Sequence, residues 1–382
     1  MSRISLEVVA VAVPVVIRTR IANRELDKRE YVLVRAIDDD GLTGVGYTYT
    51  GTNAGASTAR FISEVLANVV AGTDDEGITA TWEAMYHQSL LVGRRGLALR
   101  AMSAVDMALW DLAARRVATP LAVHLGGSLR PIPAYASGGY YRPSEGSWTQ
   151  AVVDEIRLNI EHGFVDHKIK VGGLSIGEDA DRVRAALDAM DGRGRLALDA
   201  NNAYPSPAEA LRALHAFEAA AGEVGLWWFE EPLSVDDVEG LRRLQARAHT
   251  PIATGEISQS RYEFRQLIDS GAVDVLQPDV GVLGGVSEFM RVVRSAETYQ
   301  IPVAPHWHAN AHVHLMAAAT TTLTIEHFLL SKDIYNFERL LTPESVLPFR
   351  DGLVAPSSAP GFGIDFDAEA VRSFMIAGEW SA

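Results

Sequence analysis

The stretch DHKIKVGG (166–173), followed by RLALDAN (195–201) and LWWFEEP (226–232), decides the fold. Each piece is a short strand-like run with an ionisable side chain, Lys170, Asp199 or Glu230, at or near its end. About one strand-plus-helix unit separates each from the next. In the first, Lys168 and Lys170 flank Ile169, and a period of two puts both ammonium groups on one face of a strand. Outward from here the pattern returns at PAYASGG (133–139), PIATGE (251–256), VDVLQPD (273–279) and IPVAPH (301–306). Lys170, Asp199, Glu230, Glu256, Asp279, His306 and Glu326 thus recur at intervals of 20 to 31 residues. The stretches 178–190, 207–221, 234–247, 260–270 and 284–298 are predicted helices. Repeating βα units with continuous apolar strands specify a parallel sheet, and seven or more favour a closed barrel.

The first part of the chain has another texture. Ile4 to Ile17 and Tyr31 to Ile37 are rich in Val and Ile and predict strands, with DDDGLTG (38–44) as a hairpin turn. YTYTGTNAG (47–55) predicts a loop. Residues 57–115 turn helical, most clearly RAMSAVDMALWDLAARR (100–116), whose Met102, Val105, Ala108, Leu109 and Leu112 form one stripe. Strands first and helices after indicate an α+β module. Beyond about residue 345 the chain is Pro/Gly-rich and ends in a predicted helix at 367–376. The division is 1–125, an N-terminal α+β domain; 126–345, the barrel; and 346–382, a segment folding back on the first domain.

Composition narrows the function. A net charge of −15 over 382 residues argues against non-specific nucleic-acid binding. It also makes an anionic ligand dependent on local positive charge or a metal. With 0 Cys, disulfide and thiolate chemistry are excluded, which fits a reducing, cytoplasmic setting. The apolar run Val8–Ile17 is broken by Pro14 and is too short to span a bilayer, so it predicts a strand and no membrane role.

Three carboxylates ending successive strands, Asp199, Glu230 and Glu256, would repel one another in a barrel mouth unless a cation is present. Hard oxygen ligands favour Mg²⁺. The competing reading makes each acid the cap of the helix that follows, and Glu231 competes with Glu230 for the ligand role. Two close lysines lower each other's pKa, so that one becomes a base near neutral pH. Asp279 on the strand beside His306 would accept its Nδ1–H and leave Nε2 as acid or base. Within PHWHANAHVH (305–314), His312 and His314 begin a helix and are read as structural, whereas His308 is placed to touch substrate. No cysteine and no standard zinc spacing supports a zinc site there. Glu326, which follows TTTLTI, reads either as a simple surface acid or, if buried and protonated, as a donor of a hydrogen bond to a developing oxyanion. The glycines at 171–177 and 281–285 fit no nucleotide fingerprint and are read as tight turns.

In combination, SAVDMALWDL (103–112), Lys-x-Lys at 168–170, LDAN (198–201), FEEP (229–232), Gly255-Glu256, QPD (277–279), Gly284-Gly285, Pro305-His306 and His314-Leu315 resemble the enolase superfamily, mandelate racemase subgroup, over essentially the whole chain. The resemblance implies a modified TIM barrel, (β/α)₇β, under an N-terminal α+β capping domain. It implies Mg²⁺ on Asp199, Glu230 and Glu256, with Lys170 on one face of the substrate α-carbon and the Asp279–His306 dyad on the other. Lys168 and Glu326 would stabilise the enediolate.

The implied step is abstraction of a proton α to a carboxylate. Dehydration of an acid sugar, an aldonate or aldarate, is the favoured outcome. Racemisation or epimerisation of an α-hydroxy acid and sugar-lactone cycloisomerisation are the alternatives. A non-catalytic barrel would have lost a ligand or base, and a metal hydrolase would carry histidines on early strands; neither describes this chain. Arg18, Arg20, Asn23 and Arg24 on one loop, and Tyr47, Thr50, Thr52 and Asn53 on another, offer polar groups to a polyol. Tyr47, Asn201 and His308 are the expected substrate contacts. The family also implies a homo-oligomer, a dimer or octamer.

Overall fold

The computed structural model describes residues 4–22, 24–71 and 77–381. Asn23 lies outside the described residues. The chain opens with three strands, β1 (Ser5–Ile21), β2 (Arg24–Ile37) and β3 (Thr43–Tyr49). They pair antiparallel in that order. Side chains alternate across the sheet. Val9, Val11, Val13, Tyr31 and Leu33 join the core that runs into the barrel. Val8, Ala10, Val32 and Val34 pack instead on Trp82, Met85, Leu99 and Met102. Those four come from the helices Ile78–Ser89 and Leu97–Arg116. Gly46 permits the close fit, because a Cβ there would lie 2.1 Å from the Ala104 carbonyl oxygen.

Among the described residues, seven strands of the second sheet run parallel: β4 (Ile132–Gly138), β5 (His167–Lys170), β6 (Leu196–Asp199), β7 (Phe229–Glu230), β8 (Ile252–Thr254), β9 (Val275–Leu276) and β10 (Ile325–His327). β4 to β9 neighbour one another in order, and β10 pairs with β4. Val303 closes the ring by bridging Leu276 on one side and Thr322 on the other. Counting Val303, the barrel has eight staves. The predicted strand at 301–306 shrinks to this one residue because Pro302 and Pro305 flank it and neither has an N–H to donate. The fold is therefore a modified TIM barrel with an N-terminal capping domain.

Tyr135, Ala197, Trp228, Ala253, Val275 and Ala304 plug the barrel interior. Ile169, Leu196, Leu198, Phe229 and Ile252 point the other way, into the core shared with the helices. The C-terminal segment is split between the two bodies. β11 (Phe349–Arg350) and β12 (Leu353–Val354) form a hairpin on β4 of the barrel, whereas β13 (Met375–Gly378) pairs with β1 of the cap.

Polar contacts bolt the cap to the barrel helix Gly285–Tyr299. Asp106 accepts from the Ser287 N–H at 2.8 Å and its hydroxyl at 2.7 Å. Trp110 Nε1 donates to the Ser287 hydroxyl at 2.8 Å, and Trp82 Nε1 to the Gly284 carbonyl at 2.6 Å. Burial pushes Asp106 up to about 7 against the pull of these hydrogen bonds.

Candidate active site

Strand register builds the site. Lys170 stands beside Asp199 across β5 and β6, and Asp199 beside Glu230 across β6 and β7. Going round the ring, Lys170, Asp199, Glu230, Glu256, Asp279, His306 and Glu326 belong to consecutive staves. Asp199, Glu230 and Glu256 each offer a carboxylate oxygen, all within 4.8 Å of one another. They are not helix caps. The helices that follow Asp199 and Glu230 are capped by Ser206 and Asp237, which accept from Glu209 N and Gly240 N, and the helix after Glu256 starts from Gln259 with no side-chain cap. Glu231 does not join the oxygen cluster; both its carboxylate oxygens are buried without a partner among the described residues.

Several chain corners behind these side chains hold a left-handed backbone. Asn201 (φ 43°) and Asn202 (φ 62°) follow Asp199, Glu231 (φ 41°) follows Glu230, and Trp307 (φ 72°) follows His306. Non-glycine residues hold this conformation only where surrounding contacts compel it. Gly255, with φ 135°, precedes Glu256, and a Cβ there would press on Phe264 and the Gln277 backbone at 3.0 and 3.1 Å.

The electrostatics of the cluster are those of a site made for a cation. Burial and the neighbouring Asp199 raise Glu230 to about 8, although Lys168 opposes them. Asp199 goes the other way, held low by Lys170 and Lys168 in spite of its burial. Lys168 Nζ sits 2.7 Å from Glu230, 3.0 Å from Glu326 and 3.6 Å from Asp199. Lys170 Nζ contacts Asp199 Oδ2. Lys168 does lower Lys170, as their spacing suggests, but the carboxylates around the pair outweigh that effect. Burial does pull both down, but Glu230 and Glu326 hold Lys168, and Asp199 holds Lys170, well above the ordinary lysine value.

Glu326 also differs from expectation. Burial would raise it, but the Lys168 ammonium at 3.0 Å wins and brings it down to about 2. It is an ionised acceptor, taking the Trp307 N–H at 2.6 Å, not a protonated donor. Asp279 Oδ2 lies 2.8 Å from His306 Nδ1. His306 Nε2 is 3.5 Å from Glu256. Burial lowers His306, yet Glu256 and the Asp279 hydrogen bond outweigh it and push it up to about 9.

A cavity of about 470 Å³ opens between cap and barrel, and Lys170, Asn201, Glu256 and His306 line it together. Arg24, Thr50, Thr52 and Asn53 line it from the cap. Other expected contacts are elsewhere. Arg18 pairs with Glu25 in solvent, and Arg20 reaches the Gly173 carbonyl. Tyr47 belongs to β3, not to a loop, and it and His308 are fully buried away from the cavity lining. Tyr47 gives its hydroxyl to Asn310 at 2.9 Å, and its ring meets that of His308 edge-on. His312 and His314 are structural as read: His312 Nε2 accepts from Val280 N at 3.0 Å, and His314 Nδ1 from Ala122 N at 3.3 Å.

The sequence reading missed Arg29, Arg100, Tyr140 and Trp307, all of which line the cavity. Arg100 left one usable signal. It is a cation one turn into the helix Leu97–Arg116, where the helix dipole disfavours positive charge.

Comparison with known proteins agrees with this architecture. Residues 3–126 match the family described as mandelate racemase / muconate lactonizing enzyme, N-terminal domain. Residues 151–371 match the family described as enolase C-terminal domain-like. An arabinonate dehydratase from Saccharolobus solfataricus is 34% identical, covering 87% of this chain and 87% of that protein. An L-talarate/galactarate dehydratase from Salmonella typhimurium is 31% identical, covering 97% of this chain and 89% of its own length. The crystal structure of a racemase from Streptomyces coelicolor with bound magnesium superposes with a TM-score of 0.87 at 29% identity, over 98% of this chain and 100% of that one.

Proposed function

The chain belongs to the mandelate racemase / muconate lactonizing enzyme family of the enolase superfamily, and we propose that it dehydrates an acid sugar. It removes the proton α to the carboxylate of an aldonate or aldarate and expels the β-hydroxyl, giving a 2-keto-3-deoxy acid. One observation carries this reading. Lys170 and the Asp279–His306 dyad reach the same cavity from staves three apart round the ring, with the acidic cluster between them on the longer arc.

Magnesium fits the residues present: three hard oxygen donors converge, and burial together with the neighbouring carboxylates raises Glu230. Asp199, Glu230 and Glu256 would hold the ion, which would supply positive charge to the carboxylate end of the substrate. Lys170, in its free-amine form, takes the α-proton, and Asp199 beside it balances the charge that then forms on Nζ. The electrons of the broken C–H bond pass into the enediolate. As they return, the β C–O bond breaks and His306 Nε2–H protonates the departing hydroxyl, which leaves as water. The enol then tautomerises to the 2-keto acid. Asp279 fixes the His306 tautomer that presents Nε2 to the cavity. Lys168, held by Glu230 and Glu326, adds positive charge at the carboxylate end.

Incubating the magnesium-loaded protein with a panel of aldonates and aldarates and assaying 2-keto acids tests the proposal. Formation from at least one sugar is the expected result. Silence across the panel, with no α-proton exchange in D₂O, overturns it. A second reading, racemisation, draws on the same opposed pair and on the racemase among the similar structures. It predicts inversion at the α-carbon with no 2-keto acid.

The proposal includes the division into 1–125, 126–345 and 346–382, a homo-oligomeric dimer or octamer, and a cytoplasmic setting consistent with the absence of cysteine. Among the described residues no helix is long and apolar enough to cross a membrane. Light scattering after size exclusion measures the assembly.

A further inference from the structure

We propose that the cavity selects acid sugars carrying a carboxylate at both ends, so that aldarates are its substrates in preference to the matching aldonates. This rests on the acid-sugar reading above and names the class within it. The chemistry at the barrel end accounts for one carboxylate. The cap side is where the second is argued, because that wall carries cations with no carboxylate at ion-pair distance among the described residues.

Arg29 is the clearest. It rises from β2, is 2% exposed, and lines the cavity. Its Nε donates to the Ile334 carbonyl and its Nη1 to the Tyr49 hydroxyl, both at 3.0 Å. Nη2 has no partner among the described residues. The guanidinium lies 4.2 Å from the centre of the Trp307 ring, beside His306. Arg100 comes from the cap helix and donates Nη1 to the Tyr49 carbonyl, leaving the rest of its fork to the cavity. Among the described residues neither arginine has a carboxylate at ion-pair distance. Arg24 adds a third, exposed guanidinium at the rim.

Two carboxylates face this wall. Glu256 is assigned to the metal cluster, and Glu25 is in solvent and paired with Arg18. A guanidinium taken out of water without a counter-ion is costly, and a planar carboxylate matches its fork. An aldonate would present a hydroxymethyl group there and leave the cations uncompensated. A site built for a charged partner discriminates strongly against the analogue that lacks it.

The test compares galactarate with galactonate, and glucarate with gluconate, on the full-length magnesium-loaded protein, and measures binding by calorimetry as well as kcat/KM. The better aldarate is expected to exceed its aldonate partner on the order of 100-fold in kcat/KM. Arg100→Met is expected to raise KM for that aldarate on the order of 10- to 100-fold, more than it lowers kcat, and to narrow the aldarate/aldonate ratio. Arg100→Lys, which keeps the charge but loses the fork, should retain part of the preference, more than Arg100→Met does. Aldonates turned over as well as or better than aldarates, with the ratio unmoved in Arg100→Met, would overturn the diacid inference and leave acid-sugar dehydration standing. Turnover and binding of neither class would sink both. Should Arg100→Met fail to fold, the wild-type ratio decides alone.

Discussion

His306 Nδ1 lies 2.8 Å from Asp279 Oδ2, on the next stave of the barrel. The contact orients the ring, fixes its tautomer and aims Nε2 into the cavity. Replacing His306 by Asn removes the acid but leaves Lys170 in place. Dehydration should then fall on the order of 10²- to 10⁴-fold, while α-proton exchange persists for acids that present the proton to Lys170. NMR in D₂O measures the exchange. Its complete absence with every bound acid would count against Lys170 as a base.

Lys170→Ala should abolish both dehydration and exchange from its side, yet spare the three metal ligands. Calorimetric titration with Mg²⁺ is expected to show affinity within a few-fold of wild type, since the removed ammonium competes for Asp199. Full turnover in this variant would end the assignment.

Chelation with EDTA should stop activity, and adding Mg²⁺ back should restore it. Glu256→Gln should weaken Mg²⁺ binding at least about 10-fold, because a carboxylate donor becomes neutral. An unchanged affinity would remove Glu256 from the ligand set.

The cap junction predicts a pH effect. Asp106 has an ordinary value of 3.8 when unfolded and about 7 in the folded protein. The folded state therefore prefers the protonated form. Its contribution to stability is complete below pH 3.8, declines as pH rises through the interval, and is gone above about 7. Asp106→Asn keeps an acceptor for Ser287 and removes the titration. Relative to wild type, its melting temperature should improve more at pH 8 than at pH 5. An equal difference at both would refute the linkage.

Gly46→Ala should separate β3 from the cap helix, because the new Cβ meets the Ala104 carbonyl oxygen at 2.1 Å and the Ala108 nitrogen at 2.5 Å, neither able to move cheaply. A loss of at least about 2 kcal/mol is expected in denaturant unfolding.

What sequence could reveal here is set by distance along the chain. A period near one βα unit exposed Lys170, Asp199, Glu230, Glu256, Asp279, His306 and Glu326, because each is fixed by its own strand. The ionisation of Glu326 was hidden: it depends on Lys168, which is remote in sequence and adjacent only across the barrel. The lysine pair misled for the same reason, since carboxylates on other staves outweigh the neighbour two residues away. Tyr47 looked like a loop residue because the Gly/Thr/Asn run begins beside it, but β3 extends through Tyr49. The strand at 301–306 was overestimated, although its two prolines were visible. Arg29 sits in an ordinary β-strand pattern, and nothing local marks it as a cavity wall.

Arg29 and Arg100 are rooted in the cap, whereas Lys170 and His306 are rooted in the barrel. On the proposed assignment, appetite and reactivity are inherited on separate stretches of the gene, so that a few codons before residue 101 could change the diet while the strands that handle the proton stay as they are.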